Sequence, residues 1–265
     1  MNMRDYPIVL TIAGSDSGGG AGIQADLKTF QAFGVFGTSA LTAITSQNTL
    51  GVHSIHSVPL SEVKAQIDAV VSDLRPLAFK TGMLATQALT TEVGEAIERH
   101  DLEQFVLDPV MIATSGDRLL EAGAETALRD HLMPRATVVT PNLEEASVLT
   151  GAEVRTLDDM RRAARRIVDL GPSSALVKGG HLAGDAVDIF WDGHEEHVWR
   201  RQRIDTVHTH GTGCTLSAAI TAGLALGRDR FEAIDRAIRF VADAIAQAPG
   251  LGAGRGPVNH LVRPD

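Results

Sequence analysis

At 265 residues and 44% apolar content the chain can bury a large core, and one domain spanning residues 1–265 is the default organisation. A formal net charge of −9, from 24 basic and 33 acidic residues, argues against nucleic acid or an anionic membrane as the main partner. One cysteine excludes an internal disulfide and the cysteine-rich zinc patterns, and it fits a reducing cytoplasm.

The apolar run Pro7 to Ala13 follows Arg4 and Asp5. It is short and leads into glycines instead of a cleavage site, so no signal peptide is expected, and no stretch approaches the roughly 20 apolar residues that cross a bilayer. Ile8 to Ala13 is β-branched and ends at Gly14, as a buried parallel strand would. The loop Gly14 to Gly22 and a helix over Ile23–Phe33 follow. Strands are predicted at Thr38–Thr45 and, after a polar turn Gln47-Asn48, at Val52–Val58. Helical spacing returns at Val63, Ile67, Val70 and Leu74. Alternation then continues: strand Leu77–Thr81, helix Thr86–Arg99, strand Phe105–Leu107, helix Ala122–Leu132 and strand Thr137–Val139. Such an order implies a mainly parallel sheet with helices on both faces.

A short helix is predicted over Asn142–Leu149, and Thr156 with Asp159 reads as a capping box for a helix reaching Leu170. Ala175–Val177 is a further strand. Asp185–Trp191 and His197–Arg203 flank the turn Asp192-Gly193, a hairpin signal that ends the sheet antiparallel. A final helix runs over Arg230–Gln247, and the glycine-rich segment Gly250 to Pro257 closes the fold. In such sheets the loops after the strands line the ligand crevice. That places Gly14 to Gly22, Gly82-Met83, Asp108 to Gly116, Pro141 to Glu145, Lys178 to Gly180 and the Gly211 turn on one side.

Between the hairpin and the last helix, Gly211-Thr212-Gly213-Cys214 opens a helix whose apolar positions are Leu216, Ile220 and Leu224. The free amides and dipole of such a turn attract a phosphate. The same field is expected to lower the pKa of the Cys214 thiol. Gly20 to Ala25 fits a dinucleotide pattern, but no acid stands between Asp26 and Glu62 to hold a ribose, which opposes a nicotinamide enzyme. No Gly-x-x-x-x-Gly-Lys-Ser/Thr loop occurs. Asn142 and Glu145, one turn apart at a helix start, could hold hydrated magnesium, and Asn142 as a plain cap explains the position equally well. Lys178 after a buried strand suggests an anion contact. His194 and His197 on the hairpin face opposite ways and read as surface.

The blocks Ala13 to Asp26, Gln47 to Thr49, Lys80 to Met83, Asp108 to Met111, Thr140 to Glu145, Val177 to His181 and Thr209 to Cys214 resemble hydroxymethylpyrimidine kinases of thiamine biosynthesis. The resemblance runs in order over nearly the whole chain. It implies a ribokinase-like three-layer α/β/α sandwich with a mainly parallel central sheet, and ATP-dependent, magnesium-assisted phosphorylation of a hydroxymethyl group and then of the resulting monophosphate. By position it implies a pyrimidine pocket of Gly14, Ala21, Gln47, Met83, Val110 and Cys214. Nucleotide contacts fall at Lys178, Thr212 and Asn142, with Glu145 and Asn142 toward the metal. Catalysis falls on Gly211, Gly213 and Cys214, the last as general base where much of the superfamily carries Asp. Arg255 stands where the family often has His. A pyridoxal kinase of the same cysteine branch, or a noncatalytic pyrimidine sensor, are the alternatives; a cytoplasmic homodimer is the family expectation.

Overall fold

The computed structural model describes residues 6–111, 121, 123–180 and 184–264. The expected crevice positions 112–116, the helix start at Ala122, and His181, Arg4 and Asp5 lie outside them. Nine strands form one sheet among the described residues, in the order β3-β2-β1-β4-β5-β6-β7-β8-β9. These are β1 Ile8–Asp16, β2 Phe36–Asn48, β3 Gly51–Ser57, β4 Ala78–Thr81, β5 Phe105–Leu107, β6 Val138–Val139, β7 Ala175–Lys178, β8 Ala186–Trp191 and β9 Glu196–Arg201. β2, β1, β4, β5, β6 and β7 run parallel, while β3 at one edge and β8 and β9 at the other run antiparallel.

Alternate residues of each central strand point to opposite faces, and each face carries its own helix layer. Leu10, Ile12, Phe79, Phe105 and Leu107 pack with α2 (Leu60–Leu74), α3 (Gln87–His100), α5 (Leu143–Thr150) and α6 (Leu157–Val168). Val9, Ala78, Val106, Val138 and Leu176 pack with α1 (Gly22–Ala32), α7 (Thr212–Ala225) and α8 (Arg230–Ala246). Phe79 and Phe105 are stacked and fully buried, each removing enough apolar surface to contribute about 1.5–3 kcal/mol. The sheet and the two helix layers make the expected three-layer sandwich. α6 starts on the predicted capping box, Thr156 accepting from the Asp159 amide and Asp159 from that of Thr156, with Arg165 and Arg166 at its negative end.

Two local expectations are corrected. Gln47 and Asn48 end β2 and form no turn, because Ser17 Oγ donates to the Gln47 carbonyl and accepts from its amide, both at 2.8 Å. The reversal falls on Thr49 and Leu50, where Asn48 Oδ1 caps the Leu50 amide. The helix ending at Leu132 is α-helical only over α4 (Ala124–Ala127). It widens to a π-turn at Leu128–Leu132 and tightens to a 3₁₀ turn at Met133–Arg135, where Pro134 cannot donate an α-helical bond. The wide turn brings His131 against Gly94 of α3, at which a Cβ would lie only 2.9 Å from His131 Cβ.

Candidate active site

The parallel strands end on a common edge, and the loops leaving them enclose a cavity of about 510 Å³. Two glycine loops interlock at its floor. Gly211 adopts φ +82°, and a Cβ there would fall 1.8 Å from the Gly20 carbonyl oxygen. Gly22, at φ +56°, leaves no more room, its absent Cβ lying 2.3 Å from the Gly14 oxygen. The loop after β1 and the turn before α7 are therefore one unit, though about 190 residues of chain separate them.

All twelve positions expected at the site, Gly14, Ala21, Gln47, Met83, Val110, Asn142, Glu145, Lys178, Gly211, Thr212, Gly213 and Cys214, line this cavity. Met83 reaches over Gly14, where a Cβ would collide with its Cε at 2.6 Å. At the α7 turn, a Cβ on Gly213 would lie 3.5 Å from Lys178 Nζ, so the helix start and the ammonium face the same part of the cavity. Lys178 in turn stands 3.5 Å from Asp108 Oδ1, and Ser217 of α7 donates to Asp108 Oδ2 at 3.1 Å. Burial alone would lower the Lys178 pKa, but Asp108 and Glu145 more than reverse this and hold it above the usual lysine value.

Asn142 and Glu145 close on each other as a capping box: Asn142 Oδ1 accepts from the Glu145 amide at 2.9 Å and Glu145 Oε2 from the Asn142 amide at 2.8 Å. Burial, with Asp108 adding to it, pushes the Glu145 carboxyl up to about 7 against the pull of Lys178. Among the described residues no three His, Cys, Asp or Glu side chains converge into a complete metal cluster. What Asp108, Glu145 and Asn142 offer is an oxygen-only partial set, the kind magnesium completes with water and phosphate.

Cys214 corrects the expected thiolate. The thiol touches the cavity and receives the Gly22 amide, yet burial pushes its pKa up to about 12; Lys80 opposes the rise, and Asp26 and Asp108 add to it. A dipole at a helix start is weaker than desolvation of the same sulfur.

Several polar groups escaped the sequence reading. Asp108 is one of them, although an acid directly after a buried strand carries the same signal as Lys178. Asp16 organises the first glycine loop, accepting from the amides of Gly18, Gly20 and Ala21. Lys80 and Asp26 form a fully buried ion pair at 3.1 Å. Apolar side chains, among them Leu216, Ile238, Val241 and Ile245, also line the cavity.

The sequence model described as Phosphomethylpyrimidine kinase matches residues 16–259. The chain belongs to that family. The hydroxymethylpyrimidine/phosphomethylpyrimidine kinase of Streptomyces coelicolor is 50% identical over 254 residues, covering 96% of this chain and 94% of the relative. An ADP complex of Bacillus subtilis pyridoxal kinase superposes with a TM-score of 0.91 at 42% identity, over 97% of this chain and 98% of that one. The phosphomethylpyrimidine kinase of Clostridium difficile superposes with a TM-score of 0.82 at 43% identity, over 91% and 100%. This family member is accordingly an enzyme, a kinase drawing on ATP. Among the described residues no helix is long and apolar enough to cross a membrane.

Proposed function

We propose that the chain transfers the γ-phosphoryl of ATP to the hydroxymethyl oxygen of 4-amino-5-hydroxymethyl-2-methylpyrimidine and then phosphorylates the monophosphate, as a step of thiamine biosynthesis. The observation that carries this reading is the meeting, in one cavity, of Gln47 and Met83 with Cys214, the Gly213 amide and Lys178. A Gln amide donates and accepts at once, as an aminopyrimidine edge requires, and Met packs on a flat ring. The apolar side chains of Leu216, Ile238, Val241 and Ile245 suit the base of the nucleotide. Lys178 and the Gly211–Cys214 amides lie where charge spreads over the transferred phosphoryl. Magnesium, when bound, neutralises phosphate charge, and Glu145, Asn142 and Asp108 are the groups to hold it.

Cys214 takes the hydroxyl proton as the minor thiolate species, which Lys80 and the helix start favour. In a loose transition state that proton leaves late, when the attacking oxygen has become acidic, so a small thiolate fraction suffices. Cys214→Ala should lose roughly 10²–10⁴ in turnover with little change in ATP affinity. Because a thiol near 12 ionises further as pH rises, log kcat should keep climbing above about pH 8 in the native enzyme, beyond the range in which Glu145 titrates, and should level off there in Cys214→Ala. Near-native turnover of that variant would reduce Cys214 to a packing role. Pyridoxal belongs in the same assay, since a pyridoxal kinase superposes so closely. A cytoplasmic homodimer is the proposed state: the lone cysteine suits a reducing compartment, and Ile44, Leu50 and Ile55 leave apolar surface exposed on the β2–β3 hairpin. A monomeric mass in sedimentation would refute the dimer.

A further inference from the structure

Four side chains beside the cavity form a hydrogen-bond chain that phosphoryl transfer itself does not use. It begins at Asp16, whose Oδ2 accepts from the amides of Gly20 and Ala21 at 3.0 and 2.9 Å. Burial alone would raise this carboxyl, but the His210 bond and the Ala21 and Gly18 amides outweigh it and keep Asp16 below the ordinary range, ionised and able only to accept. His210 Nε2 lies 2.9 Å from the same Oδ2, so Nε2 carries a hydrogen and donates it, whether the ring is neutral or charged.

As placed, Gln47 Nε2 stands 3.4 Å from that nitrogen and Gln47 Oε1 stands 3.1 Å from Thr45 Oγ1, an orientation that the hydrogens available to the two neighbours reverse. The Thr45 hydroxyl has a single hydrogen. The Ser15 carbonyl, 2.8 Å away, can only accept it, which leaves the Thr45 lone pairs facing Gln47. The one Nε2 hydrogen of His210, directed mainly at Asp16, is shared as the weaker arm of a three-centre bond with the near end of the amide, and the far end meets the Thr45 lone pairs. Amide oxygen and nitrogen are assigned by such networks, and a single assignment satisfies this one: Gln47 Oε1 toward His210 and Nε2 toward Thr45. The opposite orientation sets donor against donor at His210.

We propose that Thr45, His210 and Asp16 are positioning residues that lock the Gln47 amide in one orientation, and that this lock makes the pocket select a 4-aminopyrimidine over a 4-oxopyrimidine. The inference rests on the reading that Gln47 recognises the pyrimidine edge. A 4-aminopyrimidine presents an exocyclic N–H beside the acceptor N3, whereas the 4-oxo ring presents an acceptor beside N3–H. The two patterns are interchanged. A freely turning amide satisfies either by half a rotation, and a locked amide satisfies only one, leaving the other with unpaired polar groups.

The test measures kcat/KM at saturating ATP for the 4-amino and 4-oxo forms of 5-hydroxymethyl-2-methylpyrimidine. The native enzyme should prefer the 4-amino form strongly. Thr45→Val and His210→Leu should each lower that preference roughly tenfold or more, through the pyrimidine KM, with the KM for ATP held. Thr45→Ser, which restores the hydroxyl, and His210→Gln, which restores an N–H, should retain the preference. Should His210→Leu fail to fold, the near-isosteric Thr45→Val decides alone. An unchanged preference in Thr45→Val overturns the lock, as does a native enzyme that takes both rings equally. Gln47→Leu is the control: a raised pyrimidine KM there with an unchanged preference in Thr45→Val sinks the lock alone, and an unchanged KM sinks the pocket assignment and the lock together.

Discussion

Lys80 lies next to the end of β4 and Lys178 closes β7 in the same sheet, both lie beside a carboxylate, and both are held above the usual lysine pKa against the cost of burial. They differ in what the partner leaves over. Lys80 is fully buried and shares its ammonium between both oxygens of Asp26 at 3.1 Å, with Thr11 donating to the same carboxylate at 2.6 Å. Lys178 keeps 16% of its side chain exposed, and its Asp108 partner stands at 3.5 Å. A saturated pair fixes two layers of the fold to each other. An unsaturated one, facing a cavity beside a bare glycine amide, retains donors for an incoming anion.

The largest expected effect is on the closed pair. Lys80→Met leaves the Asp26 charge buried alone and should cost about 3–5 kcal/mol in denaturant unfolding. Adding Asp26→Asn should recover part of the loss. The sign with pH follows from Asp26, whose carboxyl burial already raises above its usual value. Without Lys80 the rise grows, so the folded variant holds a proton that its unfolded chain has released; its stability should therefore improve as pH falls from 7 toward 4. Next in size is Lys178→Met, which should lose roughly 10²–10³ in kcat, as removal of one transition-state charge contact does, while unfolding shifts less than in Lys80→Met. Equal stability losses in the two variants would erase the distinction between a closed and an open lysine.

The sequence shows one half of this contrast better than the other. Lys178 stood out because it follows an apolar strand and precedes two glycines, all of it local. Lys80 did not, because its partner is 54 residues away and no spacing rule joins them. The same division recurs elsewhere. The Thr156–Asp159 box and the parallel strands were legible, since caps and apolar runs are written in neighbouring residues. The extension of β2 through Gln47 depends on Ser17, 30 residues away, and the π-turn meets His131 to Gly94 across two helices. The Cys214 thiol was misjudged for the same reason: its helix start is local, while the burial that dominates it is assembled by the whole cavity. The family's residues could be placed by motif, but the Thr45–Gln47–His210–Asp16 chain required coordinates.

The smallest effect sharpens the contrast by changing a neighbour of the open lysine without touching the lysine. Glu145 lies among Asn142, Asp108 and Lys178, and its Oε2 accepts the Asn142 amide at 2.8 Å. The Glu145 carboxylate also accepts the Met111 amide, and Gln keeps an oxygen for only one of the two, so unfolding should move by about 1–3 kcal/mol, less than in Lys80→Met. What disappears is negative charge beside Lys178 and beside the proposed magnesium position. The magnesium concentration at half-maximal rate should rise about tenfold, the lower end for residues that support a metal site, with the pyrimidine KM near native. Asp26→Asn, the matching removal of charge beside the closed lysine, should lower stability and leave the magnesium titration in place. A magnesium curve unaltered in Glu145→Gln would leave Asn142 and Glu145 as a capping box and nothing more.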